Sequence, residues 1–244
     1  MLNATEIISH RANVCGLHEN SLDAVIQASK MNIGTVELDV RISNDKIVYL
    51  YHDDSFNNRP IDKMNYSGLA ELMEPHYLPK FSEVLSSSNI KNRYLLDLKS
   101  DWHQQYHHLI DDIKKSKLPA KNFIFQSGDI ALLNKIHRLS PHSQYFYLGR
   151  MDNRFSWLSA NNEHHLLKTS TTTPINGLSI KADKNISAEF VQQLQHKQIK
   201  VYVWTVNSAE QFQHYINIGV DDIITDYATH FKKQIDRHWN PSCP

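Results

Sequence analysis

The sequence predicts a single closed (β/α)8 barrel of the TIM type, and three observations predict it. The 244 residues suit one barrel better than two ordinary domains. Short β-rich runs alternate with longer segments of helical period, as parallel strands joined by crossover helices require. Ionisable residues gather at the C-terminal ends of several of these runs, where barrel enzymes carry their chemistry.

The strands are expected at about 5–10, 34–40, 46–52, 93–99, 121–126, 143–149, 176–181, 199–205 and 221–225. That is one more than eight. The runs 34–40 and 46–52 are separated only by RISND, a short polar connector able to form a hairpin, which leaves open that one of the pair extends a barrel strand or a loop without founding a new unit. Helices are expected from Ser21 to Met31, Lys80 to Ser87, Trp102 to Lys117, Asp129 to Leu139, Ser187 to Lys197, Ala209 to Ile218 and Tyr227 to Arg237. Several begin at or just behind a Ser, Asp or Asn able to cap the first turn. The stretch 151–176 has the weakest pattern, and a short helix and a long loop are expected there.

Hydrophobic residues at 41% and charged residues at 21% are an ordinary globular balance, which excludes a disordered chain. Lys plus Arg and Asp plus Glu both number 26, so no net field draws in a polyanion and nucleic-acid binding is not expected. Cys15 and Cys243 cannot make a disulfide framework, and Cys15 is expected to be a spectator thiol. With no leader-like start and no long apolar run, these features point to a soluble cytoplasmic protein without stable membrane insertion. Most of the 15 histidines, including His103, His107, His108, His164 and His165, are expected to be surface or packing residues.

In TVELDV the apolar Val36, Leu38 and Val40 alternate with Glu37 and Asp39, so the two carboxylates project from one face. They are either an acidic edge facing solvent or, inside a barrel, a pair that needs a cation between them. In YLLDLKS, Leu95, Asp97 and Lys99 share a face, giving a third carboxylate and a fixed positive charge, or an ordinary ion pair. His10 and Arg11 end the first strand, His52 and Asp53 end VYLYHDD, Gln126 ends FIFQS, and Trp204 ends VYVWT. Carboxylates with a divalent ion, an Arg and a Lys neutralise a phosphate during displacement, and two His can serve as its base and acid. An amidohydrolase barrel would show His-x-His on its first strand, and none is present.

With these residues in view, the chain resembles the glycerophosphodiester phosphodiesterase family. SHRANVCGLHENSLDAV is similar to that family's HRG…PENT…A signature, and VELDVRISNDKIVYLYHDD to its E-x-D…HD block. YLLDLKS resembles its hydrophobic-acid-x-Lys strand, and VYVWTVNSAEQFQHYINIGVDDIITDYA its WTVN…GVDGIITD segment, so the likeness runs from residue 8 to about 230. The resemblance implies that His10 and His52 are the acid–base pair and that Glu37, Asp39 and Asp97 bind Mg2+ or Ca2+. Arg11 and Lys99 would hold the phosphate, with Trp204 and Gln126 at the substrate; Glu19 and Asn20 would shape the first loop and cap its helix. It further implies hydrolysis of glycerophosphodiesters to glycerol 3-phosphate, through a cyclic phosphate made by a free glycerol hydroxyl and opened by water. Ala12 stands where the family has Gly, and Asp97 where most members have Glu. The rival readings are a lysophospholipase D- or sphingomyelinase D-like phosphodiesterase or lyase, and a catalytically weak barrel acting as a binding module.

Overall fold

Period-2 runs of branched and aromatic residues make the strands, and amphipathic segments between them make the cover. The computed structural model describes residues 5–74, 78–87, 91–149, 175–236, 238–239 and 243. In chain order it contains β1 (Glu6–Ser9), α1 (Leu22–Lys30), β2 (Thr35–Ile42), β3 (Val48–Leu50), β4 (Ser55–Phe56), β5 (Arg59–Pro60), α2 (Tyr66–Leu72) and α3 (Phe81–Ser86). There follow β6 (Arg93–Leu98), α4 (Tyr106–Ser116), β7 (Phe123–Ser127), α5 (Ile130–Leu139) and β8 (Gln144–Gly149). The last part holds β9 (Gly177–Lys181), α6 (Ala188–His196), β10 (Lys200–Trp204), α7 (Ala209–Ile218), β11 (Asp222–Thr225) and α8 (Ala228–Ile235).

Eight parallel strands pair in the order β1, β11, β10, β9, β8, β7, β6, β2, and β1 pairs with β2 to close the ring. The barrel is therefore as expected, and the ninth run is accounted for. Val48–Leu50 pairs antiparallel with β2, Val40 opposite Leu50, so β2 and β3 form the hairpin and β3 stays outside the ring. Three short elements were not foreseen: the two-residue strands β4 and β5, and α2, a seven-residue helix containing Gly68 that is too short for a helical period to show. The helix and loop expected at 151–176 fall almost wholly outside the described residues.

Caps fix where the crossover helices begin. The side chains of Ser21, Asp129, Ser187 and Ser208 each accept a hydrogen bond from a backbone N–H in the first turn of α1, α5, α6 and α7. Val36, Leu38 and Val40 of β2 face the helices and join the large core between sheet and shell. The opposite strand faces fill the barrel axis with a second, smaller cluster of Ile8, Leu95, Ile124, Phe146, Tyr202 and Ile224, each at most 1% exposed. Phe146 and Tyr202 stack with centroids 4.1 Å apart. Gly177 gives them room, since a Cβ there would collide with the Phe146 ring and the Lys200 carbonyl.

The chain end returns to the first loop. Trp239 Nε1–H donates to the Met31 carbonyl at 2.8 Å, and Cys243 is disulfide-bonded to Cys15 across a sequence separation of 228. This corrects the expectation of a spectator thiol. Cys15 and Cys243 are too far apart in sequence for their pairing to be read there, and only the barrel's closure brings them together. No helix among the described residues is long and apolar enough to cross a membrane.

Candidate active site

The C-terminal ends of the barrel strands surround a cavity of about 380 Å³ with two unlike walls. His10, Arg11, Glu37, His52, Asp97 and Lys99 line one, and Gln126, Tyr147, Leu148, Trp204 and Ile224 the other. Eight of the nine residues singled out in the sequence line this cavity, and the ninth, Asp39, lies 1% exposed behind Lys99. The structure thus brings all nine to one place.

Glu37, Asp39 and Asp97 come from neighbouring strands, with Asp39 in register with Asp97, and each offers a carboxylate oxygen within 4.8 Å of the others. None is more than 7% exposed. Burial first, and the charges of Asp39 and Asp97 next, push the Glu37 carboxyl well above its usual range. Burial likewise raises Asp97, although Lys99 opposes it. Lys99 Nζ stands 2.7 Å from Asp97 and 3.3 Å from Asp39, and these carboxylates hold its ammonium above the ordinary value against the opposing effect of burial. The solvent-facing acidic edge is thereby excluded, because both β2 carboxylates point into the barrel.

Arg11 and Ala12 sit at φ 52° and 55°, in the left-handed region that costs a residue bearing Cβ about 1–2 kcal/mol. Ala12, which stands where the family it resembles has Gly, takes a left-handed backbone that glycine adopts freely. That turn aims the Arg11 N–H at Glu37 Oε2, 2.8 Å away. The Arg11 guanidinium meets Glu19 at 2.9 Å and Asp39 at 3.4 Å. Asn20 grips Asp39 twice: its amide donates to Oδ2 at 2.8 Å and its carbonyl accepts the Asp39 N–H at 3.0 Å. Glu19 and Asn20 therefore brace charged residues of the site, while Ser21 caps α1.

Both histidines are held through Nδ1. His10 Nδ1 lies 2.6 Å from Asp226 Oδ1, and His52 Nδ1 lies 2.6 Å from Asp53 Oδ1. With a carboxylate on each Nδ1, Nε2 is the ring nitrogen left to face a reactant. Burial raises the Asp226 carboxyl, but its bonds to His10 and Asn207 outweigh this and hold it below the usual range. Asp226 is a residue the sequence reading did not single out. It stands inside the IITD segment, 216 residues from His10, and only the β1–β11 pairing makes them neighbours. His103, expected to be a bland surface residue, pairs with Asp129 at 2.6 Å away from the cavity lining.

The sequence profile of the Glycerophosphoryl diester phosphodiesterase family matches residues 10–230. A glycerophosphodiester phosphodiesterase of Caldanaerobacter subterraneus is 23% identical over 241 residues, covering 91% of this chain and 94% of the relative. The crystal structure of a glycerophosphodiester phosphodiesterase from Thermotoga maritima superposes with a TM-score of 0.74 at 23% identity, over 94% of this chain and 98% of that one. A phosphodiesterase of Oleispira antarctica, in complex with its product sn-glycerol-3-phosphate, gives a TM-score of 0.77 at 21% identity, over 96% and 97%.

Proposed function

The chain belongs to the glycerophosphoryl diester phosphodiesterase family, and from that premise we propose that it hydrolyses small glycerophosphodiesters to glycerol 3-phosphate and an alcohol. The observation that carries this reading is one cavity holding three clustered carboxylates, two phosphate-seeking cations and two imidazoles with their Nε2 atoms available.

The carboxylate cluster fits a divalent ion. Three buried carboxylates within 4.8 Å of one another, against Arg11 and Lys99, leave one negative charge in excess. Glu37, Asp39 and Asp97 would hold Mg2+ or Ca2+, both of which take oxygen donors. When bound, the ion neutralises charge on the phosphate oxygens.

The chain's own groups supply the rest. Arg11 and Lys99 bind non-bridging phosphate oxygens and fix the diester over the barrel axis. One of the two histidines, His10 or His52, accepts the proton of the free glycerol hydroxyl as its oxygen attacks phosphorus. The other gives a proton to the departing alcohol oxygen. Water then opens the cyclic phosphate with the two roles exchanged, and glycerol 3-phosphate leaves. Trp204 and Gln126 contact the organic part of the substrate, which would place the reaction in lipid and glycerol metabolism.

The apolar wall of Tyr147, Leu148, Trp204 and Ile224 favours a second reading, a lysophospholipid as the diester. Such a wall would accept an acyl-bearing glycerol. A panel of glycerophosphocholine, glycerophosphoethanolamine and lysophosphatidylcholine, assayed for released glycerol 3-phosphate and choline with and without Mg2+ or Ca2+, separates the two. Turnover confined to the lysolipid would overturn the first reading, and no turnover of any diester would leave the binding-module reading standing. A cytoplasmic site of action, as the sequence suggests, would require the Cys15–Cys243 bond to persist against cellular thiols, whereas an oxidising compartment would keep it formed without assistance.

A further inference from the structure

Arg41 is a buried cation that the reaction proposed above does not use. It is 6% exposed on β2, two residues beyond Asp39, and among the described residues its guanidinium meets no carboxylate at ion-pair distance. Its donors go instead to two consecutive carbonyls, Nε to Tyr51 O at 3.2 Å and Nη2 to His52 O at 2.8 Å. Burying a guanidinium without a carboxylate partner is expensive, and an apolar side chain of similar length would pack there at lower cost.

The backbone at His52 explains what the arginine does. The β2–β3 ladder runs from Ile42 opposite Val48 to Val40 opposite Leu50, and its last bond is Tyr51 N–H to Asp39 O at 3.1 Å. His52 lies one residue past the end of that ladder. Its ring is held by Asp53, its own sequence neighbour, whose side chain is 62% exposed. His10, by contrast, is tied to the barrel by Asp226 from the far end of the chain and by the adjoining Arg11 N–H on Glu37. Among the described residues, the hydrogen bond that reaches the His52 carbonyl comes from the Arg41 guanidinium.

We infer that Arg41 is a positioning residue: its forked guanidinium extends the β2–β3 sheet by two hydrogen bonds and fixes His52 against the strand that carries Glu37 and Asp39. The inference rests on the role proposed for His52. A planar fork with several fixed donors suits two neighbouring carbonyls in a way a lysine ammonium does not.

The test is steady-state kinetics of Arg41→Gln and Arg41→Lys on glycerophosphocholine, with Ca2+ affinity measured on the same proteins. Arg41→Gln should lower kcat on the order of 10- to 100-fold, the usual size of a lost supporting contact, with KM and Ca2+ affinity within about threefold of wild type. Arg41→Lys, which keeps the charge and can reach one carbonyl, should recover part of that loss. An Arg41→Gln protein with wild-type kcat, or one whose loss follows weakened Ca2+ binding, would overturn the inference, since the second outcome places the damage in the carboxylate strand. Should Arg41→Gln not fold, Arg41→Lys decides alone: a lowered kcat at unchanged KM supports the role, and wild-type kcat overturns it. His52→Ala serves as the separate control, because a fully active His52→Ala protein removes the reading of His52 itself whatever Arg41 does.

Discussion

The same strands build two regions of opposite character, one above the other along the barrel axis. Ile8 and His10, Leu95 and Asp97, Ile124 and Gln126, Tyr202 and Trp204, and Ile224 and Asp226 each stand two positions apart. The lower member of each pair belongs to the buried plug, with Ile224 also reaching the cavity wall. The upper member stands in or beside the cavity and carries polar atoms with work still to do. One strand period thus divides stability from function. The plug gains by excluding water, whereas three buried carboxylates a few ångströms above it repel one another and cost the fold stability.

That division can be broken from either side. The largest expected effect is on turnover: His10→Ala or His52→Ala should lose on the order of 10²- to 10⁴-fold in kcat, the range of general acid–base catalysis, with the melting temperature unchanged. A fully active His52→Ala protein would remove it from the mechanism. Below, Leu95→Ala should cost about 2–5 kcal/mol in urea unfolding while kcat per folded molecule stays near wild type. Loss of kcat without loss of stability would show that the plug and the site are not separable. Lys99→Ala should lower kcat/KM roughly 10- to 100-fold, about the energy of one charge-assisted bond to a phosphate oxygen. An unchanged kcat/KM would count against its role.

The smallest effect concerns pH and the far end of the barrel. Asp222 opens β11, in register with Glu6, and burial pushes its carboxyl up to about 6. The folded state then holds a proton that the unfolded chain releases at its ordinary value near 4. Stability should therefore fall as pH rises through that window and level off above about 6. Asp222→Asn should flatten this part of the profile, measured by denaturant midpoint from pH 4 to 7, and an unaltered slope would show that another group carries it.

How much of this was legible in the sequence depends on distance along the chain. Glu37 and Asp39 announce themselves by strand alternation, and Asp97 with Lys99 by the same period, so their shared cavity needed only a closed barrel. The hairpin of β2 and β3 was legible as an alternative because RISND is too short for a crossover. Other contacts had no local signal. Asp226 on His10, Asn20 on Asp39 and Cys243 on Cys15 join segments 216, 19 and 228 positions apart, and no periodicity reports which polar residue will face which. Arg41 was hidden for another reason. In sequence it reads as one more polar residue of an alternating strand, and only the end of the β2–β3 ladder shows that its guanidinium replaces sheet bonds.

Calorimetric titration of chelator-treated protein with Ca2+ or Mg2+, run beside the assay, decides whether Glu37, Asp39 and Asp97 jointly bind one divalent cation used in turnover. One site per chain, activity that returns over the same concentration range, and loss of both in Asp39→Asn are the expected results. Full turnover in EDTA, or unaltered cation binding in Asp39→Asn, would contradict that assignment.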